Sequence, residues 1–289
     1  MDDVLLSVCV ITYNHEKYIS QTLDSILMQK TTFLVEVVIG EDCSTDDTRN
    51  ICFRYQEKFP DKIKMLLPER NLGMMPNFIA TLKACKGKYI AICEGDDYWI
   101  DSYKLQKQVS FLKQNPECSI CAHNSFVINN SDLENVGLFN SSLFSKNKYS
   151  INDYILDHKW FVPTASIVFR VDKMDYPSWL PNIKNGDVAI QLILLMRGYL
   201  YYFNEVMSVY RKLETSVSHI YMKTLRQTYI QLLDIFDKYS EFKFHIFLMI
   251  KKQFMQDLIK KDRHITIQKI INKLLSSQGF EIKKKLPLK

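Results

Sequence analysis

No run of about 18 uninterrupted apolar residues, the length needed to cross a bilayer, occurs in this sequence. The nearest stretch, Ala189 to Phe203, is broken by Gln191 and Arg197. The first residues, Met1-Asp2-Asp3, lack the basic n-region of a secretory signal, which leads us to expect folding in the cytoplasm. Zinc-site spacing is missing as well. Cys118 and Cys121 form a lone CxxC with no second pair and no His pair to complete it. The seven cysteines are an odd number scattered through apolar or small-residue contexts, so they read as buried or half-buried free thiols. There is no internal repeat and no low-complexity tract.

What remains is ordinary for a soluble globular protein. The 289 residues are 47% hydrophobic and 24% charged, enough to bury one large core or two smaller ones. The net charge of +6 is uneven, because residues 251–289 hold eleven Lys/Arg against three Asp/Glu. A basic tail on a slightly acidic body suits an anionic surface, membrane lipid or nucleic acid; the alternative is a solvated helical face.

The first hundred residues alternate between two periods. Leu5–Ile11, Val35–Ile39, Ile63–Leu67 and Tyr89–Cys93 are short, β-branched or aromatic-rich runs that predict strands. Between them, Tyr18–Met28 sets Ile19, Leu23, Ile26 and Leu27 on one helical stripe, and Thr48–Phe59 and Asn77–Cys85 repeat the pattern. Strand and helix in alternation predict an α/β fold with a mostly parallel sheet and right-handed crossovers. Ligands of such sheets bind beyond the carboxyl ends of the strands. Further on, the pattern predicts a helix over Asp101–Gln114 capped by Asp101, a strand over Ser119–Ile128, and a mobile polar loop over Asn129–Ser150. A strand over Ala165–Arg170, a helix over Asp187–Met196 and two short strands over Tyr199–Tyr202 and Val206–Tyr210 follow. From Thr224 the pattern is helical and Lys-rich.

Three polar turns follow these strands. YIAICEGDDYWID, residues 89–101, delivers Glu94, Asp96 and Asp97 to the end of a hydrophobic strand. Clustered carboxylates repel one another, and hard oxygen ligands in a short turn suit Mg²⁺ or Mn²⁺ completed by water and phosphate oxygens. IGEDCSTDDT, residues 39–48, places Asp42 where it could accept hydrogen bonds from a base or ribose, although helix capping alone would explain most of its neighbours. ITYNHEKYI, residues 11–19, brings a third turn to the same edge.

Together VCVITYNHEKYI, VVIGEDCSTDDT, NLGMMPN and GKYIAICEGDDYW resemble family-2 glycosyltransferases of the GT-A fold, over roughly residues 5–215. The resemblance implies inverting transfer of one sugar from a nucleotide-sugar donor, a UDP-sugar by preference, to a glycan or lipid-linked acceptor. Asp42 matches the aspartate that binds the nucleotide base, and Thr12, Tyr13 and Asn14 match the turn lining the uridine pocket. Asp96 matches the metal-binding carboxylate of the family's DxD motif, with Glu94 in the leading position where aspartate is usual. Asp187 matches the general base, with Gly186 in place of the usual preceding acid; the alternative for Asp187 is a helix cap. Arg211 and His219 fall in a closing segment that often carries such side chains near the diphosphate. The QxxRW signature of processive synthases is absent, which points to single-sugar addition.

The implied organisation is a transferase domain over 1–220, with a nucleotide-binding half 1–100 and an acceptor half 101–220, and a basic helical extension over 221–289. The implied cofactor is Mn²⁺ or Mg²⁺. A peripheral contact of residues 251–289 with an anionic membrane on its inner face is expected, and no nucleic-acid partner. Two other readings remain. A non-catalytic nucleotide-sugar-binding protein would account for Gly186 and Glu94. A sugar-phosphate nucleotidyltransferase would need a Gly-rich basic loop after the first strand, where this chain has only Lys17 and no glycine.

Overall fold

A computed structural model describes residues 4–129, 132–157, 161–213 and 222–277, with side chains omitted at 132–136, 222–224 and 262–277. The chain builds one ten-stranded sheet in the order β3-β2-β1-β4-β9-β6-β10-β5, in which β5 is the short strand Tyr98–Trp99 and β7 is added to β6 and β8 to β10. β1 (Leu6–Thr12), β2 (Val35–Glu41), β3 (Ile63–Leu66) and β4 (Tyr89–Ile92) form a parallel half. β1 and β4 are buried along nearly their whole length, because crossover helices cover both faces, so they read as continuous hydrophobic runs.

Two apolar cores result, one on each face. Val8, Val10, Leu23, Ile26 and Ile51 pack under α1 (Ile19–Leu27) and α2 (Thr48–Lys58), and Leu105, Val109 and Leu112 of α4 (Lys104–Gln114) extend that core. On the other face Phe78, Ile79 and Leu82 of α3 (Met74–Ala84) meet Leu192 and Ile193 of α6 (Gly186–Leu195) and α5 (Ile151–Leu156). The same core takes Leu232, Leu233 and Phe236 of α7 (Met222–Tyr239) and Leu248 of α8 (His245–Ser277). Apolar packing thus continues from the sheet into the C-terminal helices.

The second half of the sheet departs from the sequence-based expectation in four places. Residues 129–150 are not one loop: β7 (Asp132–Leu138) folds back antiparallel on β6 (Cys118–Asn129), and β8 (Lys148–Tyr149) pairs with β10. Backbone pairing overrides a composition rich in Asn and Ser. The strand expected over Ala165–Arg170 is a 3₁₀ turn at Thr164–Ser166 followed by β9 (Val168–Arg170), which runs antiparallel between β4 and β6. The two short strands near 199–210 are one strand, β10 (Tyr199–Lys212), whose register shifts between Phe203 and Val206. Asn204 and Glu205 sit at that irregularity and interrupt the apolar pattern. Finally, α4 starts at Lys104 rather than Asp101, since the Asp101 carboxylate accepts from the Tyr103 N–H (2.7 Å) and the Lys107 ammonium (2.8 Å).

All seven cysteines are free thiols, five buried and two (Cys43 and Cys85) half-buried.

Candidate active site

β1 and β2 run in register, with Thr12 opposite Glu41, so their carboxyl ends coincide. β4 stops at Ile92, opposite Cys9, which lets the acidic turn rise beside the end of β1. Hydrogen bonds then join the turns. The Gly95 N–H donates to the Ile11 carbonyl (2.9 Å), and the Asp42 N–H to the Thr12 carbonyl (3.0 Å). Asn14, at a left-handed φ of 56°, receives the Thr45 N–H on its side-chain oxygen (2.8 Å) and donates its own N–H to Ser44 Oγ (3.0 Å). Asn tolerates this backbone region better than most residues. The three polar turns therefore form one connected edge.

Gly95 makes the approach possible. A Cβ there would lie 2.5 Å from Thr12 Oγ1, inside any permitted contact. Thr22 of α1 supports the turn from below, its hydroxyl donating to the Asp97 carbonyl (2.7 Å) and the Gly95 carbonyl (3.0 Å).

Of the expected donor-side residues, Thr12 is buried, with its hydroxyl 3.2 Å from His15 Nδ1, and Tyr13 is exposed. Asp42 is buried and already holds structure: its two carboxylate oxygens accept the N–H groups of Leu72 (2.7 Å) and Gly73 (2.9 Å). It thereby pins the Asn71-Leu72-Gly73 turn that leads into α3, a role the sequence spacing did not reveal. Glu41 beside it is fully buried and paired with Arg49, a second contact missed from sequence.

Three carboxyl groups sit on the turn, and Asp187 lies within electrostatic reach of one of them, Glu94. Glu94 and Asp96 are half-buried, and Asp97 is buried. Burial first, then the charges of Asp96 and Asp187, push Glu94 up to about 8. The charge of Asp187 acts on Glu94 although the two lie 93 residues apart, so α6 delivers its acid to the same space as the turn. Asp97 is held well above the ordinary range by burial and by its acidic neighbours, against the Arg211 N–H, which donates to its Oδ1 at 2.9 Å. It ties the turn to β10.

Asp187 lies in the first turn of α6, two residues beyond the N-cap Asn185, so it is not the capping residue. Burial pushes its carboxyl up to about 6, opposed by the N–H groups of Val188 and of Asp187 itself. Its Oδ2 is buried and has no hydrogen-bond partner among the described residues. Position 186, where an acid was expected, has no room for a side chain as it stands, because Met75 Sδ lies 2.0 Å from where a Cβ would sit. Tyr154 of α5 and Tyr229 of α7 share the Asp187 environment: burial raises both hydroxyls, and the Asp187 charge adds to it. Thr228 of α7 also donates to the side-chain oxygen of Asn185 at 2.8 Å. Neither Tyr154 nor Tyr229 was among the site residues expected from the sequence.

Arg211, expected near a diphosphate, is committed elsewhere. It is buried, its guanidinium donates to the Asp96 carbonyl and to Gln21 Oε1, and it lies over the rings of Tyr98 (4.6 Å) and Tyr18 (5.0 Å). It clamps the acidic turn from β10. His219 lies outside the described residues.

Among the described residues no three His, Cys, Asp or Glu side chains form a ready-made metal cage. That fits a Mg²⁺- or Mn²⁺-type ion, which takes one or two carboxylates and completes its shell with water and substrate phosphate. Glu94 and Asp96 supply such oxygens, and a cation beside them would offset the mutual repulsion that raises Glu94.

The sequence profile of glycosyl transferase family 2 matches residues 7–175, more than half of the chain. The chain belongs to glycosyl transferase family 2. An uncharacterized protein of Mycobacterium tuberculosis is 33% identical over 214 residues, 74% of this chain and 60% of that protein. The Escherichia coli UDP-Glc:α-D-GlcNAc-diphosphoundecaprenol β-1,3-glucosyltransferase WfgD is 30% identical over 241 residues, 81% of this chain and 87% of its own. Among solved structures, Staphylococcus aureus TarS 1–349 in complex with UDP-GlcNAc superposes with a TM-score of 0.61 at 19% identity, covering 80% of this chain and 66% of that one. The Pyrobaculum calidifontis mannosyltransferase PcManGT, in complex with GDP-Man and Mn²⁺, gives 0.57 at 15% identity, covering 95% and 81%. The chain thus spans about 60% of the length of the M. tuberculosis relative. The fold is the GT-A-like mixed α/β fold.

Proposed function

We propose that this glycosyltransferase moves one sugar, with inversion, from a UDP-sugar to a hydroxyl of a glycan or lipid-linked acceptor, using Asp187 as general base. The observation that carries the reading is the Asp187 carboxyl: half-buried, raised to about 6, with one oxygen unpartnered, and charge-coupled to the acidic turn. An acceptor hydroxyl between Tyr154, Tyr229 and Asp187 would lose its proton to that free oxygen as it attacks. General bases of this kind contribute roughly 10²- to 10⁴-fold.

On the donor side Thr12, Tyr13 and Asn14 would line the base pocket with Asp42, which retains lone pairs after accepting from Leu72 and Gly73. Asp96, with Glu94, would hold a divalent cation, which supplies Lewis-acid stabilisation of the leaving diphosphate. Arg211 and Asp97 keep that turn in place rather than touching substrate. WfgD, whose name specifies a UDP-sugar donor and a lipid diphosphate acceptor, supports the substrate class, and PcManGT with bound Mn²⁺ supports the cofactor. We place the reaction at the cytoplasmic face of a membrane, with the enzyme peripheral to it.

Purified protein is assayed for release of UDP from a panel of UDP-sugars, with and without Mn²⁺ and with lipid-diphosphate acceptors. Asp187→Asn should cut transfer at least about 10²-fold while leaving UDP affinity and cation dependence intact, since an amide of the same shape cannot take a proton. Full transfer by that variant removes the base role; donor binding without turnover by wild-type protein favours the non-catalytic reading instead.

A further inference from the structure

The start of α8 has two unlike faces. Phe244, Leu248 and Lys251 turn inward and are buried, and the Lys251 ammonium donates to the Asp157 carbonyl beyond α5. On the outer face Ile246, Met249 and Ile250 are 70%, 53% and 48% exposed, at a spacing that puts them on one stripe. Phe242, in the turn leading into the helix, is 59% exposed. Its backbone is left-handed, with φ of 60°, a region where glycine or asparagine is the cheaper choice. An aromatic ring placed there gains only an edge-on approach to His245, 5.9 Å between centroids, among the described ring contacts. Four neighbouring large apolar side chains turned to solvent mark a contact surface rather than scattered exposure.

Charge identifies the occupant. From residue 243 to 261 the only acid is Asp257, while Lys243, Lys260 and Lys261 are exposed. From Lys251 onward the sequence holds eleven Lys/Arg against three Asp/Glu. A second copy meeting the patch by two-fold symmetry would bring these lysines against their own equivalents, and like charges across an interface are unfavourable. An anionic bilayer accepts both features, apolar side chains at the acyl boundary and lysines among the headgroups.

We propose that Phe242, Ile246, Met249 and Ile250, flanked by Lys243, Lys260 and Lys261, form a docking surface for an anionic lipid bilayer. The patch belongs to the fold itself, at the junction of α7 and α8, rather than to the tail alone. Behind it Lys251 lies 5.8 Å from the ring of Tyr229, the α7 residue beside Asp187. Docking therefore brings the membrane to the acceptor side of the site. This surface deepens the peripheral placement proposed above, and because it is read without donor or acceptor it stands or falls apart from the transferase reading.

Co-sedimentation of the full chain with phosphatidylglycerol-containing vesicles and with pure phosphatidylcholine vesicles tests it. The wild type should bind the anionic vesicles, prefer them, and release as salt rises. Ile246→Gln/Met249→Gln/Ile250→Gln should lower the partition coefficient at least about tenfold, with UDP affinity unchanged as the folding control. Lys243→Gln/Lys260→Gln/Lys261→Gln, on exposed positions, should weaken the anionic preference. The proposal is overturned if wild-type protein ignores both vesicles or binds them equally, or if the variants sediment as wild type does. A wild-type dimer that the apolar variant dissolves, without vesicle binding, assigns the patch to a second copy and overturns it too.

Discussion

A carboxylate that takes a proton at neutral pH works best when its pKa lies close to the working pH, and burial has moved Asp187 to about 6. In the proposed role, the carboxyl is protonated below that value and cannot accept the acceptor's proton, and above it the proposed base is ready. kcat/KM for transfer is therefore expected to fall about tenfold per pH unit on the acid side of about 6 and to level off above it. Steady-state rates at fixed cation, with residual Asp187→Asn activity as the reference, check this; a wild-type acid limb that persists in the variant belongs to another group. Asp187 was singled out by the family resemblance, at the start of an apolar helix. The sequence did not reveal the Met75 side chain filling the place beside Gly186, nor the tyrosines of α5 and α7 around the base, because those contacts join residues far apart in the chain. The family resemblance placed Arg211 in a closing segment near a diphosphate; its place in β10, where pairing fixes its backbone against Asp97, was not read from the sequence.

The same arginine sets an expectation for how β10 supports the acidic turn. Arg211→Gln deletes the bonds to the Asp96 carbonyl and Gln21 and the stacking on Tyr18 and Tyr98. Leaving the half-buried Asp96 carbonyl without its buried donor costs about 1–3 kcal/mol, visible as a lower urea midpoint. Cation-dependent UDP binding should weaken as well, because the turn that carries Glu94 and Asp96 loses its clamp; unchanged binding and midpoint would mean that Thr22 and Gly95 suffice to hold it. Among the elements, those of the parallel half were the most legible. β1 to β4 and α1 to α3 alternate two clean periods, and the structure differs from expectation there by at most three residues at an end. β7, β8 and the single long β10 were not, because antiparallel hairpins rest on pairing partners more than on apolar rhythm, and a register shift hides one strand as two.

Across the whole molecule, the C-terminal helices share the core of the transferase fold through Leu232, Phe236 and Leu248. Leu248→Ala should therefore cost about 2–5 kcal/mol in a urea titration, as a buried leucine does, whereas the exposed Met249→Ala one residue on should change stability by less than about 0.5 kcal/mol. Equal effects would separate α8 from the core. β9 has another whole-molecule role, since among the described strands it joins β4 to β6 and so stitches the parallel half to the rest of the sheet. Its residues come late: 75 positions separate Ile92, the end of β4, from Val168, the start of β9. During synthesis at about 5–20 residues per second, the nascent donor half would wait about 4–15 s with the outer edge of β4 unpaired. An open edge of Tyr-Ile-Ala-Ile is a ready template for another chain. A chaperone that covers that edge until residue 170 emerges is therefore expected to raise the soluble yield, which expression with and without it would measure.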